Sequence, residues 1–324
     1  MSRRSFSSKF VRIVEVGPRD GLQNEPIAIH VHDRIALIER LADAGLGVIE
    51  AGSFVSPKRV PQMAGTSDVL RGLKRRQDTR YPVLVPNMKG LLTLLDGPSL
   101  ASLDEPPLTD EIAIFAAASE SFSKANINCS ISESLDRLAP VAELALNRGL
   151  RVRGYVSTVI SCSYEGPIAP KSVRDVAKAL VDMGCYEVSL GDTTGFGTPR
   201  TMTNMLDVVM AQVSVDKLAN HDTYGMGIAN VLTAIEAGIR TVDSSVAGLG
   251  GCPFSPGATG NVATEDVVHA LHGIGYSTDV DLPALVAVGE WISAHLGRAN
   301  ESRAGRAWAS KARSLADSST RATS

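Results

Sequence analysis

Residues 10–20 read FVRIVEVGPRD, a Val- and Ile-rich run that leads into Gly-Pro and then into charged residues. The run predicts a strand, and Gly17-Pro18 predicts a turn at its carboxyl end. A dinucleotide-binding sheet would carry Gly-x-Gly-x-x-Gly after its first strand. This chain continues instead as GPRDGLQNE over residues 17–25, so an open dinucleotide-binding sheet is disfavoured.

Seven further β-rich runs follow the first, and amphipathic helical patterns separate them. Eight strands that alternate with helices imply a parallel sheet, and eight is the number that closes a barrel. The sequence therefore predicts an α/β fold, a (β/α)8 TIM barrel with extra C-terminal helices. The eight runs lie at residues 10–16, 47–53, 82–87, 111–118, 151–157, 186–192, 217–222 and 241–248.

The helical segments show the expected start and stop signals. Residues 33–47 place apolar side chains on one stripe and end in Gly45 and Gly47. Residues 134–150 do the same and stop at Gly149. A third helix is expected to begin at Thr198, a capping residue type that Pro199 follows in the first turn.

The domain organisation is predicted to be simple. A basic leader, expected to serve as a targeting segment, spans residues 1–9, and a single barrel spans residues 10–297. Residues 298–324 are polar and basic, and we expect a loose helix that ends in disorder. Residues 94–110 are rich in Pro, Ser and Asp, which predicts a surface insertion before the fourth strand.

Composition excludes several classes of protein. The net charge is −3, so no strong field favours nucleic acid, and no apolar run is long enough to cross a membrane. The four cysteines show no CxxC spacing, which disfavours a disulfide framework or a structural zinc site. The first twelve residues are basic, serine-rich and free of acids, which favours the mitochondrial matrix, with the cytosol as the alternative.

Polar residues fall at the carboxyl ends of the predicted strands, where barrel enzymes place their active sites. Carboxylate, imidazole and amide ligands without thiolate suit Mg²⁺ or Mn²⁺, and an arginine beside them suits an enolate oxygen. Asp192 has the alternative of capping its own turn, and Cys252 that of an inert loop residue. The residues at these ends are Arg19, Asp20, Glu50, Asn87, Tyr155, Ser157, Asp192, His221, Asp222, Cys252 and Asn261.

Several motifs together resemble the 3-hydroxy-3-methylglutaryl-CoA lyase family over roughly residues 10–275. The most specific is GGCP at 250–253, because the Claisen-condensing relatives of that family carry different loops here. The others are VEVGPRDGLQNE (14–25), VIEAGSFVSPKRVPQM (48–63), RGYVS (153–157), GCYEVSLGDTTGFGTP (184–199) and HDTYG (221–225).

The resemblance implies a reaction, retro-Claisen cleavage of an acyl-CoA to acetyl-CoA and acetoacetate in leucine catabolism. It implies that Asp20, His221 and Asn261 bind a divalent metal, Mg²⁺ or Mn²⁺. It implies catalytic roles for Arg19, Glu50, Asp192 and Cys252, with Arg19 on the enolate and Cys252 on a mobile loop. Substrate contacts are expected from Gln23, Asn87, Tyr155 and Ser157, and a homodimer is implied.

One motif departs from the family. The family carries two histidines, separated by one residue, before Asp-Thr-Tyr-Gly, whereas this chain reads KLANHDTYG over 217–225 and has Ala219 at the first position. The segment is shorter by two residues, which preserves the facing of the strand, so His221 should point inward and Asn220 away. The sequence thus predicts a weakened metal site and an impaired lyase.

Two other functions stay open. A condensing acyl-CoA synthase is disfavoured by the GGCP loop. A catalytically silent barrel that binds acyl-CoA or an active partner subunit is favoured by the missing histidine, but the retained polar residues argue against it.

Overall fold

Eight parallel strands form the centre of the fold. The computed structural model describes residues 9–26, 28–96, 108–221, 225–251 and 260–322. Each predicted run contains one barrel strand, so the prediction of eight β-α alternations is confirmed. The barrel strands are β1 (Arg12–Glu15), β2 (Gly52–Ser53), β3 (Val83–Leu84), β4 (Glu111–Ala117), β5 (Arg151–Ser157), β8 (Glu187–Gly191), β9 (Leu218–His221) and β10 (Thr241–Ser244). Strands β6 (Ser161–Cys162) and β7 (Gly166–Pro167) form a small antiparallel hairpin after β5, outside the barrel sheet.

The strand order closes the sheet on itself. Neighbouring strands follow the order β1-β10-β9-β8-β5-β4-β3-β2. The two ends of this order then meet, because Glu15 N donates to Val48 O and Glu50 N donates to Glu15 O, both at 2.9 Å. This closure brings all carboxyl strand ends to one face of a barrel.

Helices cover the outside of the barrel. Outward side chains of the strands, such as Ile13 and Val242, pack with the helices in the main apolar core. Inward side chains form smaller clusters, one of Val14, Val16 and Val48. The helices are α1 (Val31–Asp43), α2 (Thr66–Gly72), α3 (Met88–Leu95), α4 (Glu120–Ile127), α5 (Ile131–Asn147), α6 (Pro170–Asp182), α7 (Pro199–Met210), α8 (Gly227–Glu236), α9 (Thr264–Gly273), α10 (Leu282–His295) and α11 (Arg303–Ala322).

The helix ends follow local chemistry. Thr198 caps α7 as expected, because its hydroxyl accepts from Thr201 N at 3.3 Å. After α1 the chain passes through Gly45 at φ +92°, where an added Cβ would lie 2.3 Å from the carbonyl oxygen of Asp279. Only glycine fits such a turn, so the predicted stop is confirmed.

The predicted surface insertion at 94–110 is wrong at both ends. Leu94 and Leu95 complete the apolar stripe of α3 and are buried, and Leu108 and Thr109 are buried just before β4. Polar composition in the middle of the segment concealed its apolar margins. Residues 97–107 lie outside the described residues.

The polar tail begins docked on the barrel. Asp266 Oδ1 accepts from Ser302 Oγ at 2.8 Å and from Ala304 N at 2.7 Å, which caps the first turn of α11. Glu301 N also donates to Ala247 O at 3.1 Å. The start of the tail is thus fixed by hydrogen bonds rather than loose.

Within the described ranges, no helix combines the length and the apolar character needed to span a bilayer.

Candidate active site

A cavity of about 900 Å³ opens at the carboxyl ends of the barrel strands. The structure brings together most of the residues that the sequence analysis selected, although they come from strands far apart in the chain. The selected residues that line the cavity are Arg19, Asp20, Gln23, Asn87, Tyr155, Ser157, His221 and Asn261.

The turn after β1 projects Arg19 and Asp20 into this cavity. Gly17–Gly21 forms one π-helical turn that begins against the buried carboxylate of Glu15. Glu15 Oε1 accepts from Gly17 N at 2.8 Å and from Val246 N at 2.9 Å. An added Cβ at Gly17 would lie 2.5 Å from that oxygen, so a larger residue there would displace the Glu15 carboxylate from these hydrogen bonds.

Arg19 lies at the centre of a charged network. Its Nε donates to Glu50 Oε2 at 2.7 Å, and its Nη1 donates to Asp20 Oδ1 at 2.5 Å. The Tyr155 hydroxyl donates to the same Glu50 oxygen at 3.3 Å, and the Arg19 guanidinium lies 5.4 Å from the Tyr155 ring centroid. Two carboxylates and an aromatic ring therefore fix the direction of one guanidinium.

The network sets the charge states of its members. Burial opposes the charge on Arg19, but Glu50 and Asp20 raise the pKa of Arg19 above its ordinary value. Burial would raise the pKa of Asp20, yet Arg19 and His221 lower it. Burial raises the pKa of Glu50 despite Arg19. The site thus keeps a fixed cation beside an ionised Asp20.

Three side chains could hold a metal ion at one end of the cavity. Asn261 Nδ2 donates to Asp20 Oδ2 at 2.9 Å and to Leu249 O at 3.2 Å, and among the described residues no hydrogen bond occupies its Oδ1. His221 lines the same cavity. The described part of the chain holds no group of three or more His, Cys, Asp or Glu arranged for a metal, so the amide of Asn261 is needed. Asp20, Asn261 and His221 suit Mg²⁺ or Mn²⁺.

Strand β9 orients its side chains as the parity argument predicts. His221 pairs with Asp243 and faces the cavity, whereas Asn220 pairs with Val242 and faces the helices. Ala219 is fully buried and brings only a methyl group. Both amide atoms of Asn220 are buried without a hydrogen-bond partner among the described residues. The shortened strand therefore keeps one imidazole in place and buries an unsatisfied amide behind it.

A family model described as HMGL-like matches residues 10–292 of this chain. The chain belongs to the HMGL-like family. This assignment confirms the resemblance found in the sequence motifs, and it covers the whole barrel, helix α9 and most of helix α10.

Individual relatives agree with the family assignment. A protein of Arabidopsis thaliana named mitochondrial hydroxymethylglutaryl-CoA lyase is 53% identical over 91% of this chain, which spans only 62% of that relative. The hydroxymethylglutaryl-CoA lyase of Pseudomonas mevalonii is 53% identical over 93% of this chain and 97% of its own. The crystal structure of the Pseudomonas aeruginosa hydroxymethylglutaryl-CoA lyase superimposes with a TM-score of 0.89 at 50% identity, covering 94% and 98% of the two chains. The predicted barrel is therefore confirmed.

Asp192, a predicted catalytic residue of this HMGL-like chain, does not line the cavity. Asp192 is fully buried and turns back onto its own loop, where it accepts from Gly197 N at 2.6 Å and Gly195 N at 3.2 Å. That geometry matches the alternative of a turn cap. Cys252 lies outside the described residues. Glu50 reaches the cavity only through Arg19 and Tyr155.

The predicted substrate contacts differ in how free they are. Asn87 lines the cavity, but its Oδ1 already caps α3 by accepting from Gly90 N at 3.0 Å. Ser157 precedes Thr158, which adopts φ +61°, a costly conformation for a β-branched residue. Thr158 N donates to Thr193 Oγ1 at 2.9 Å, and Thr193 also lines the cavity. The strained turn thus fixes Ser157 and Thr193 at the rim.

A buried network beneath the cavity was missed in the sequence. Arg153 donates to Asp243 with two nitrogens, at 2.7 and 3.1 Å, to Glu187 at 2.8 Å and to the Tyr155 hydroxyl at 2.9 Å. Strand parity could have found Arg153, because it faces the same way as Tyr155 and Ser157. The register that pairs Asp243 with His221 carries no signal in a single sequence.

Proposed function

We propose that this chain is a hydroxymethylglutaryl-CoA lyase that cleaves 3-hydroxy-3-methylglutaryl-CoA to acetyl-CoA and acetoacetate, the carbon–carbon lyase activity EC 4.1.3.4. The observation that carries the proposal is the Arg19–Asp20–Glu50–Tyr155 cluster, which meets His221 and Asn261 at the mouth of a barrel of this family. Cleavage of the bond to the acetyl unit leaves negative charge on a thioester enolate, and Arg19 is a preorganised cation for that charge.

The residues around Arg19 determine how its guanidinium is oriented toward the cavity. Because Glu50 and Asp20 hold two of its nitrogens, Arg19 presents its remaining donors without reorganising during the reaction. The Tyr155 hydroxyl donates to Glu50 from below, and Arg153 holds that hydroxyl in place. These contacts make Glu50 a positioning group for Arg19, in addition to the supporting role near the reacting hydroxyl that the resemblance implies.

A divalent cation, Mg²⁺ or Mn²⁺, is the proposed cofactor, with Asp20, His221 and Asn261 as its ligands. When bound, such an ion polarises the oxygen atoms of the substrate and stabilises developing negative charge. The available Asn261 oxygen and the ionised Asp20 support this assignment.

The Asn24 amide donates to Gly251 O at 2.5 Å and links the turn after β1 to the start of the glycine-rich loop.

The single histidine is proposed to slow the reaction. In the family the first of the two histidines also transfers protons, and Ala219 cannot do so. Loss of a general acid or base typically costs about 10²–10⁴ in rate. We therefore expect metal-dependent turnover that is well below that of a lyase with both histidines.

The test is acetoacetate release from 3-hydroxy-3-methylglutaryl-CoA by the purified chain, with Mg²⁺, with Mn²⁺ and with EDTA. Metal-dependent release supports the proposal. Tight binding of a substrate analogue without turnover would instead select the silent barrel. Condensation of acetyl-CoA with a 2-keto acid would select the synthase.

A second candidate substrate class is acyl-CoAs with a longer 3-alkyl group. Leu84, Ala113 and Tyr155 form an apolar cluster inside the barrel, and Phe115 packs against it. This cluster begins at the Tyr155 ring, directly beside Arg19, and three of its residues line the cavity wall. Cleavage of a 3-alkyl series with little loss of kcat/KM on lengthening would support it, and a sharp loss beyond methyl would exclude it.

Location and assembly are also proposals. The basic, acid-free first twelve residues support the mitochondrial matrix, and the cytosol is the alternative. Fusion of these residues to a fluorescent protein would distinguish the two. A homodimer is proposed from the family resemblance, and light scattering should then give twice the 34.2 kDa of one chain.

A further inference from the structure

The lone imidazole of β9 has one ring nitrogen turned away from the cavity. His221 Nδ1 is buried and has no hydrogen-bond partner among the described residues. The carboxylate beside it is that of Asp243, whose Oδ2 lies 3.7 Å from Nδ1. The parallel register of β9 and β10 creates this contact, because it pairs His221 with Asp243. With Nδ1 toward Asp243, Nε2 on the far side of the ring faces the cavity.

The Asp243 carboxylate is held rigidly. Arg153 Nη2 donates to Oδ1 at 2.7 Å, and Arg153 Nη1 donates to Oδ2 at 3.1 Å. Ser189 Oγ also donates to Oδ2 at 2.8 Å. Asp243 and Arg153 are each about 1% exposed. A bidentate, buried pair of this kind fixes both the position and the negative charge of the acceptor that faces His221.

We infer that Asp243 is a positioning residue that keeps the proton of His221 on Nδ1 and turns the Nε2 lone pair toward Asp20 and Asn261. A histidine ligand generally needs such a partner on its other nitrogen to fix its tautomer and ring orientation. The requirement is stronger in this chain, because Ala219 supplies no second imidazole to share the site. The inference rests on the proposed function only in taking His221 as a metal ligand.

Glu187 supplies a matched control. It is another buried carboxylate on the same guanidinium, since its Oε1 accepts from Arg153 Nε at 2.8 Å. Its Oε2 accepts from Thr241 Oγ1 at 2.9 Å. If Asp243 served only to balance Arg153, then Asp243→Asn and Glu187→Gln should have similar effects on His221.

The first experiment measures the tautomer directly. Long-range ¹H–¹⁵N correlation spectra of the metal-free, ¹⁵N-histidine-labelled chain are recorded at alkaline pH, with His221→Gln to assign the signal. The expected wild-type and Glu187→Gln spectra show His221 protonated on Nδ1, and Asp243→Asn shifts the population toward Nε2–H. A wild-type ring protonated on Nε2 overturns the inference, and this result does not depend on whether the Asp243 or Glu187 variant folds.

The second experiment measures Mn²⁺ binding by electron paramagnetic resonance, without substrate. Loss of an outer-shell partner typically weakens metal binding about 10–100-fold, so this loss is expected for Asp243→Asn and not for Glu187→Gln. Equal losses in the two variants, or none in Asp243→Asn, overturn the inference. If the wild-type chain binds no Mn²⁺, the tautomer of His221 decides the test.

The two proposals fail separately. An inactive chain with the expected tautomer and Mn²⁺ response would remove the lyase assignment and keep the role of Asp243. An active lyase in which Asp243→Asn leaves the tautomer unchanged would do the reverse.

Discussion

The two sides of the cavity differ in how completely their polar atoms are paired. On the β1 side, Arg19 is bonded to Glu50 and Asp20, and Glu50 Oε2 accepts two hydrogen bonds. On the β9 side, both amide atoms of Asn220 and Nδ1 of His221 lack hydrogen-bond partners among the described residues. Glu50 Oε1 also lacks a hydrogen-bond partner among the described residues, but Oε2 of the same carboxylate accepts from Arg19 and Tyr155. A shortened strand can therefore keep its side chains facing the correct way and still leave their polar atoms without hydrogen bonds.

Restoring the missing residues is the strongest test of this difference. Inserting Val-His between Ala219 and Asn220 recreates two histidines separated by one residue. We expect lyase activity to rise by roughly 10²–10⁴, because a general acid or base returns to the site. Acetoacetate release measures the gain. An insertion of Val-Ala has the same length without the imidazole, and equal activity of the two insertions would contradict the explanation.

Disturbing the paired side should have the next largest effect. Arg19→Lys keeps a positive charge but loses the planar fork that Glu50 and Asp20 hold. We expect kcat to fall by about 10²–10³, the usual cost of losing one donor to a developing oxyanion. Steady-state kinetics measure this.

The control for that variant is Arg59→Lys, which changes an exposed arginine at the cavity rim. It should leave kcat near the parent value. A similar fall of kcat in both variants would mean that Arg19 is not the specific donor to the developing oxyanion.

Buried acids behind the paired side should appear in the pH dependence of stability. Burial raises the pKa of Glu15 to about 7 and that of Glu265 to about 8, from 4.5. A raised pKa means that the folded state favours the neutral acid. The stabilisation that the two neutral acids contribute to folding is therefore fully present below pH 4.5. It is lost as the pH rises through 7 and 8.

The unfolding free energy should thus decrease from about pH 5 to pH 8, by at most about 1.4 kcal/mol per pH unit for each group. Urea unfolding across this range measures the slope. Glu265→Gln should make it shallower, because the amide cannot ionise. An unchanged slope would show that Glu265 titrates normally in the folded protein.

The smallest expected effect tests the cost of the unpaired side. Asn220→Val removes the amide whose two polar atoms are buried without partners. We expect the folded state to gain about 1–3 kcal/mol, because the variant no longer buries an amide without hydrogen bonds at this position. Thermal unfolding measures the gain. Asn230→Val is a control, because that amide donates to Gly197 O at 3.0 Å and its removal should lower the stability. A loss of stability in Asn220→Val would show that the amide has a partner.

Sequence alone predicted the barrel because each strand and helix is a local pattern. It also predicted that His221 would face inward, since parity along a strand is local. It did not find the Arg153–Asp243 pair, because β5 and β10 approach only through the curvature of the closed sheet. Nor could it decide the direction of Asp192, which depends on the path of the loop through Gly195 and Gly197.

The contact between Arg298 and Glu25 has a consequence for the order of events during synthesis. These residues pair although 273 positions separate them, and the neighbouring Glu301 binds the backbone at Ala247. The turn that carries Arg19 and the segment before the glycine-rich loop are thus secured by residues that are synthesised after all eight barrel strands. A nascent chain can form strands and helices earlier, but the mouth of its cavity is expected to become ordered only once residues 298–301 have left the ribosome.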